Sequence, residues 1–220
     1  MNSDLAILQK AREELQQVLV QEVLQSLVKN RFEALYVSSR EEARKKILAM
    51  IPTGASVGYG GSLTLDELGI KDVLKKGNYQ FIDRGRSETS AEELFKLRRE
   101  SLLSDVFLCS TNALTKDGKL VNIDGIGNRL AALTFGPKKV IVVAGLNKVV
   151  DDVEEGLKRI RNSVAPLHAR RRGWKVPCAN TGYCMDCRSA DRICGTIAIT
   201  EFQREKGRLT VMLVGESLGL

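Results

Sequence analysis

Cys178, Cys184, Cys187 and Cys194 fall within seventeen residues of a 220-residue chain whose only other cysteine is Cys109. Thiols placed for packing would be scattered along the sequence, so a cluster this tight implies shared chemistry. The spacing is Cys-x5-Cys-x2-Cys-x6-Cys, and its central Cys-x2-Cys is a short bite through which two thiolates reach one metal or cluster. Four readings compete. Disulfides need an oxidising compartment, and Met1 to Val20 has no signal-peptide core, because Asp4, Lys10, Arg12, Glu13 and Glu14 interrupt it. Structural zinc needs four ligands, but its sites more often show two Cys-x2-Cys pairs, and only one is present. An iron–sulfur cluster suits a single run with one short bite and uneven flanks. Four free thiols are the last reading. Spacing alone leaves zinc and cluster level.

A second group of residues points to an anion site. Gly58-Tyr-Gly60-Gly61-Ser62 follows an apolar run and leads into a helical stretch. Glycines let the backbone approach an anion, and a helix N-terminus adds positive partial charge. The pattern matches neither Gly-x-Gly-x-x-Gly nor a P-loop, and a tight turn requiring positive φ is the plain alternative. Ser110-Thr111-Asn112 and, beyond a hairpin, Asn122-Ile-Asp124-Gly-Ile-Gly-Asn128-Arg129 carry more polar chemistry than a turn requires. Arg129 could pair bidentately with a carboxylate or phosphate, and Asp124 could hold a hydroxyl or act as a base. Gly145-Leu-Asn-Lys148 leaves the most apolar run, which would aim Lys148 at the same crevice. The expected ligand-binding set is therefore Gly58, Gly60, Gly61, Ser62, Asn112, Asp124, Asn128, Arg129 and Lys148.

Other reactive residues read more plainly. Cys109 ends an apolar run and reads as a buried small hydrophobe, with no histidine nearby to activate it. His168 is the single histidine and reads as a surface residue beside Arg170, Arg171 and Arg172, themselves an exposed turn or a positive collar for the cysteine loop. One histidine without a paired serine or cysteine gives no hydrolase triad.

The elements that must position these residues alternate. Residues 3–29 repeat Leu5, Leu8, Leu15, Leu19, Val23 and Leu27 at helical intervals. This N-terminal helix, within 1–30, reads as packed on the domain surface, with a dimer contact as the sharper alternative. Strands are expected over 32–37, 55–59, 79–83, 105–110 and 139–145, and helices over 40–50, 64–76, 90–102 and 151–161. Ser39, Thr64 and Ser90 each precede a carboxylate by three residues, as a capping box does. A hairpin is expected around Lys116-Asp-Gly-Lys119, and two last strands, 196–202 and 208–214, around a turn at Glu205-Lys-Gly207. Continuous apolar strands separated by helices predict an α/β fold, an open and mostly parallel sheet with helices on both faces. Residues 166–195 read as a basic, cysteine-rich loop inserted before the last strands of a single 1–220 domain.

Composition bounds the partners. At 43% hydrophobic, the chain can bury one ordinary core, and no apolar run approaches the roughly 20 residues that span a bilayer. A soluble, cytoplasmic protein is expected. The net charge of +7 comes from 34 basic and 27 acidic residues. No aromatics interleave with the basic residues as a single-strand stacking platform requires, so no nucleic-acid partner is expected.

At the loops just described the chain resembles the LUD-domain family, the lactate-utilization proteins. The matching segments are Val57-Gly-Tyr-Gly-Gly-Ser-Leu-Thr-Leu-Asp-Glu-Leu-Gly69, Ser110 through Gly125, Gly127-Asn-Arg-Leu-Ala-Ala132 and Phe135 through Val150, and the four-cysteine loop is similar to that of single-domain members. The resemblance implies a fold similar to ribose-5-phosphate isomerase and CoA-transferases, with a ligand crevice at the strand ends. It also implies a part in oxidation of lactate or related 2-hydroxy acids, within a complex whose sister proteins carry iron–sulfur clusters. That implication favours a 4Fe-4S cluster over zinc on Cys178, Cys184, Cys187 and Cys194, and makes redox proteins the expected partners. The tandem ferredoxin-type cysteine runs of the cluster-bearing sister protein are absent here, and no catalytic residue carries over from the family. An oxidoreductase component binding a small anionic metabolite is the leading expectation. A zinc-stiffened, non-catalytic binding module is the alternative. A third is an isomerase or acyl-CoA-transfer enzyme, for which only Asp117 and Asp124 offer a carboxylate nucleophile.

Overall fold

Alternating apolar runs and capped helices become the following elements in the computed structural model, which describes residues 2–85 and 89–220, with side chains from residue 4. The strands are β1 (Glu33–Val37), β2 (Ser56–Tyr59), β3 (Gln80–Phe81), β4 (Val106–Ser110), β5 (Ala113–Thr115), β6 (Leu120–Asp124), β7 (Lys139–Gly145), β8 (Val149–Val150), β9 (Thr196–Thr200) and β10 (Leu209–Val214). The helices are α1 (Asn2–Lys29), α2 (Arg40–Ala49), α3 (Leu63–Glu67), α4 (Ile70–Lys76), α5 (Ala91–Glu100), α6 (Asn128–Thr134), α7 (Val153–Arg159), α8 (Ala165–Arg172) and α9 (Cys178–Thr181).

A six-stranded sheet runs β1-β10-β7-β4-β2-β3, and each neighbouring pair is parallel. Its central strands are the chain's continuous apolar runs: every residue of β10 and of Val140–Gly145 is buried, as a strand covered on both faces must be. Alternate residues feed two cores. Val106 and Leu108 of β4 join Ile47, Leu65, Ile70 and Leu74 from α2, α3 and α4. Phe107 and Cys109 face the other way, toward Val20, Val23 and Leu27 of α1 and Leu130 and Leu133 of α6. The open, mostly parallel α/β sheet expected from the sequence is therefore present.

Four local expectations change. The hairpin β5–β6 recruits β8 and β9 into a second sheet ordered β8-β5-β6-β9, so a small sheet, backed by α7, shares the covering of one face with α1 and α6. The two final strands are not neighbours: β9 pairs antiparallel with β6, while β10 inserts between β1 and β7. Their burial explains the split, because β9 is half exposed along its length and suits an edge, whereas β10 is buried throughout. Residues 166–195 are not all loop. α7 runs through a π-helical turn at Ile160–Val164 into α8, so Arg170, Arg171 and Arg172 form the last turn of a helix. Pro166 has no N–H to give, which favours local widening of the helix at this point. Finally, Ser62, not Thr64, caps the helix after the glycine loop, its hydroxyl accepting from Leu65 N at 3.4 Å.

Of α1, only the second half packs. Side chains from Asp4 to Leu15 are all exposed, including Leu5, Leu8 and Leu15.

Candidate functional site

A cavity of about 510 Å³ opens at the carboxyl ends of β2, β4 and β7 and is closed on the far side by α8 and the cysteine segment. Eight of the nine residues expected to bind a ligand line it: Gly60, Gly61, Ser62, Asn112, Asp124, Asn128, Arg129 and Lys148. Gly58 does not. It lies within β2, where a Cβ would come within 2.8 Å of both Phe107 and Ser104 Oγ, so the strand needs glycine for packing.

The glycine loop is shaped by two close constraints. A Cβ on Gly60 would sit 2.9 Å from Cys109 Cβ, and Gly61 has φ +67°, where only glycine is unstrained. These features bring the backbone of the loop against β4 and open the wall of the cavity.

Arg129 is 9% exposed and fully committed to the protein. Its Nε donates to Asp124 Oδ1 at 3.0 Å, its Nη1 to Ser110 O at 2.9 Å, and its Nη2 to Asn112 Oδ1 at 2.8 Å and Asp124 Oδ1 at 2.5 Å. The other oxygen of Asp124 accepts from Leu130 N at 3.2 Å, so this carboxylate holds the start of α6. Asn112 Oδ1 also accepts from Ile123 N at 3.0 Å. This cluster welds β4, β6 and α6 into the cavity floor. A carboxylate so engaged is a poor candidate for a free nucleophile, and Asp117 lies outside the cavity lining, on the hairpin tip that Asn30 Nδ2 grips through Asp117 O at 2.8 Å.

Lys148 differs. It is 4% exposed, and its Nζ donates to Thr64 Oγ1 at 2.7 Å, Ser110 Oγ at 2.8 Å and Thr111 O at 3.3 Å. All three acceptors are neutral. Burial, followed by the positive charges of Arg159 and Arg129, pushes this amine down to about 7.

Further cations line the cavity beyond the expected set. Arg98 of α5 carried no sequence signal, and Arg171 and Arg172, read from sequence as an exposed turn or a collar for the cysteine loop, line it from α8, with Trp174 packed edge-on against His168 at 5.2 Å. Burial and then the neighbouring Arg171 and Arg172 charges lower the His168 pKa. Behind the glycine loop, burial and then Arg98 bring Arg84 down to about 10, while Arg84 Nη2 donates to Tyr59 O. With its amide turned to satisfy both groups, Asn128 accepts from Arg84 Nη1 at 2.9 Å and Arg129 N at 3.2 Å. Thr64 and Ser110 lay within segments already singled out. Arg84 and Arg98 had no local signal, because only the fold brings α5 and the segment after β3 to this edge.

The four clustered cysteines line a recess of their own, with Arg161, Ala165, Val176, Met185 and Ile193. All are free thiols. Burial and then their thiol neighbours raise Cys178 and Cys194. Asp186 N donates to Cys184 Sγ at 3.4 Å. Arg192 braces the loop, donating to Cys187 O at 2.6 Å, Cys194 O at 2.9 Å and Asp186 Oδ1 at 2.9 Å. Among the described residues, no three His, Cys, Asp or Glu side chains come together closely enough to hold a single metal ion. The thiols thus share a recess without closing a tight tetrahedron. Arg192, Ile193 and Cys194 line both this recess and the large cavity.

Fold and site define an α/β protein with a cation-rich crevice at its strand ends and a thiol-lined recess against that crevice. The chain belongs to the LUD domain family, whose model matches residues 20–214. A solved structure of a DUF162 family protein from Deinococcus radiodurans is similar at 14% identity and a TM-score of 0.48, over 90% of this chain and 98% of that one. No curated protein matches the chain. Among the described residues no helix is long and apolar enough to cross a membrane.

Proposed function

We propose that this chain is a component of lactate or related 2-hydroxy-acid utilization. It binds a small anionic ligand in the strand-end cavity and carries an iron–sulfur cluster on Cys178, Cys184, Cys187 and Cys194. The observation that carries the reading is the shared wall: Arg192, Ile193 and Cys194 face both the ligand cavity and the thiol recess. A group held by the thiols would lie one residue layer from a bound anion.

The donor set suits such a cluster. Four free thiols line one recess, and a backbone N–H already points at Cys184 sulfur, as hydrogen bonds that tune cluster potentials do. A bound cluster would supply one-electron transfer. The chain's own residues do the rest: Arg98, Arg171, Arg172 and Lys148 attract a carboxylate, and the Thr64 and Ser110 hydroxyls orient a polar substituent. A thiol-held cluster would need redox proteins as partners and a reducing, cytoplasmic compartment.

The test is iron and acid-labile sulfide content with a visible spectrum on protein purified without oxygen. About four of each per chain is expected for a cubane cluster, with the visible absorbance lost in Cys187→Ser. One zinc without sulfide would make the recess structural and leave a binding module.

A further inference from the structure

Lys148 combines three features seldom found together unless an amine is to react. It lines a ligand-sized cavity, it is buried, and its neighbours among the described residues give it no ion pair. The charges around it are mostly of its own sign. Arg129 of α6 is tied to Asp124, Asn112 and Ser110, and Arg159 of α7 donates to Asn112 O at 2.8 Å and Asn147 O at 3.1 Å. Neither guanidinium can swing away. Glu67 of α3 opposes them more weakly, and the buried Cys109 of β4 stays a neutral thiol. A cation beside fixed cations sheds its proton, and a desolvated lysine near other cationic groups is the usual activated amine nucleophile. With its pKa brought down to about 7, the amine has a substantial neutral fraction near neutral pH, which an ordinary lysine lacks.

Its partners suit both protonation states. Thr64 Oγ1 and Ser110 Oγ accept from the ammonium, and either hydroxyl can instead donate to the neutral amine's lone pair or pass a proton onward. The same cavity lining supplies Arg98, Arg171 and Arg172 for a carboxylate. An amine nucleophile sharing a cavity with carboxylate-binding guanidinia selects a molecule bearing a carbonyl next to a carboxylate.

We propose that Lys148 captures 2-oxo acids as a covalent imine. The neutral Nζ attacks the keto carbon and forms the C–N bond. Both protons of the attacking Nζ pass, through the Ser110 or Thr64 hydroxyl, to the former carbonyl oxygen, which leaves as water as the C=N bond forms. One water is released and no oxidant is needed. This rests on the reading of the cavity as a small-carboxylate site, and it does not depend on what the cysteines hold.

The experiment treats the full-length protein with pyruvate and sodium cyanoborohydride, followed by intact mass and peptide mapping. Hydride reduction fixes the imine as a secondary amine, adding the mass of the acid less one oxygen. A single saturable adduct on Lys148, suppressed by lactate and absent from Lys148→Arg, is the expected result. Adducts spread over the exposed lysines, or calorimetric binding of pyruvate with no adduct, would overturn the imine and leave the anion site standing. No adduct and no binding of either acid would remove both.

Discussion

Two cationic side chains that look alike in sequence have different work at the residue scale. Arg129 spends its donors on Ser110, Asn112 and Asp124, so it builds the cavity, whereas Lys148 has only neutral acceptors and is poised at the edge of ionisation. The difference has a signature in stability. The folded pKa of Lys148 lies below its unfolded value, so between about pH 7 and the ordinary lysine range the unfolded chain binds more protons. Stability therefore rises with pH across that window, by at most about 1.4 kcal/mol per pH unit. Lys148→Met abolishes this rise. Urea titrations of both proteins at several pH values are expected to show wild type gaining on the variant as pH increases, and a constant gap would show that Lys148 is not buried as a strained charge.

At the scale of elements, the glycine loop and the strand before it divide their labour. Gly60 and Gly61 open the cavity wall, while Gly58 lets β2 lie against Phe107, Ser104 and Ser101. Gly58→Ala is expected to cost about 1–3 kcal/mol through overpacking, read as a lower urea midpoint, with ligand affinity of the folded protein unchanged. Loss of affinity without loss of stability would return Gly58 to the binding site. The sequence placed β1, β2, β4 and β7 nearly to the residue, and the turn between β5 and β6, because their apolar runs and turn signals are local. Helix caps were legible for the same reason at Ser39 and Ser90, whose hydroxyls accept from Glu42 N and Glu93 N. Thr64 misled because its hydroxyl is taken up instead by Lys148, 84 residues away in sequence.

For the whole molecule, charge is unevenly spread. Residues 156–195 contain nine basic side chains against two acidic ones, Asp186 and Asp191, which equals the entire net charge of +7 and leaves the remainder balanced. Several of these cations, including Arg171, Arg172 and Arg192, line the cavity. Asp66, Asp124 and Asp191 line it too, but cations outnumber them, and a cleft with an excess of one sign of charge focuses the field and raises the encounter rate of opposite charges. Association of lactate or pyruvate with the protein is therefore expected to slow as salt is raised, followed by stopped-flow fluorescence of Trp174, the single tryptophan and a cavity residue. A rate indifferent to ionic strength would show that this cationic rim does not guide ligands.

The sequence by itself determined what depends on neighbours along the chain. Apolar runs made buried parallel strands, the clustered cysteines announced one thiol-rich segment, and the glycine loop and the Asp124–Arg129 segment announced a polar edge. Only the tertiary structure decided which of those groups are free. It paired Arg129 with Asp124, sent β9 and β10 to different sheets, and carried Arg98 from α5 to the cavity. It also set Lys148 among fixed cations and put Cys194 on the wall shared with the thiol recess. The physical reason is range. Propensity, capping and metal bite act over a few residues, whereas burial and charge are properties of the space around a side chain, which forms only when distant segments pack.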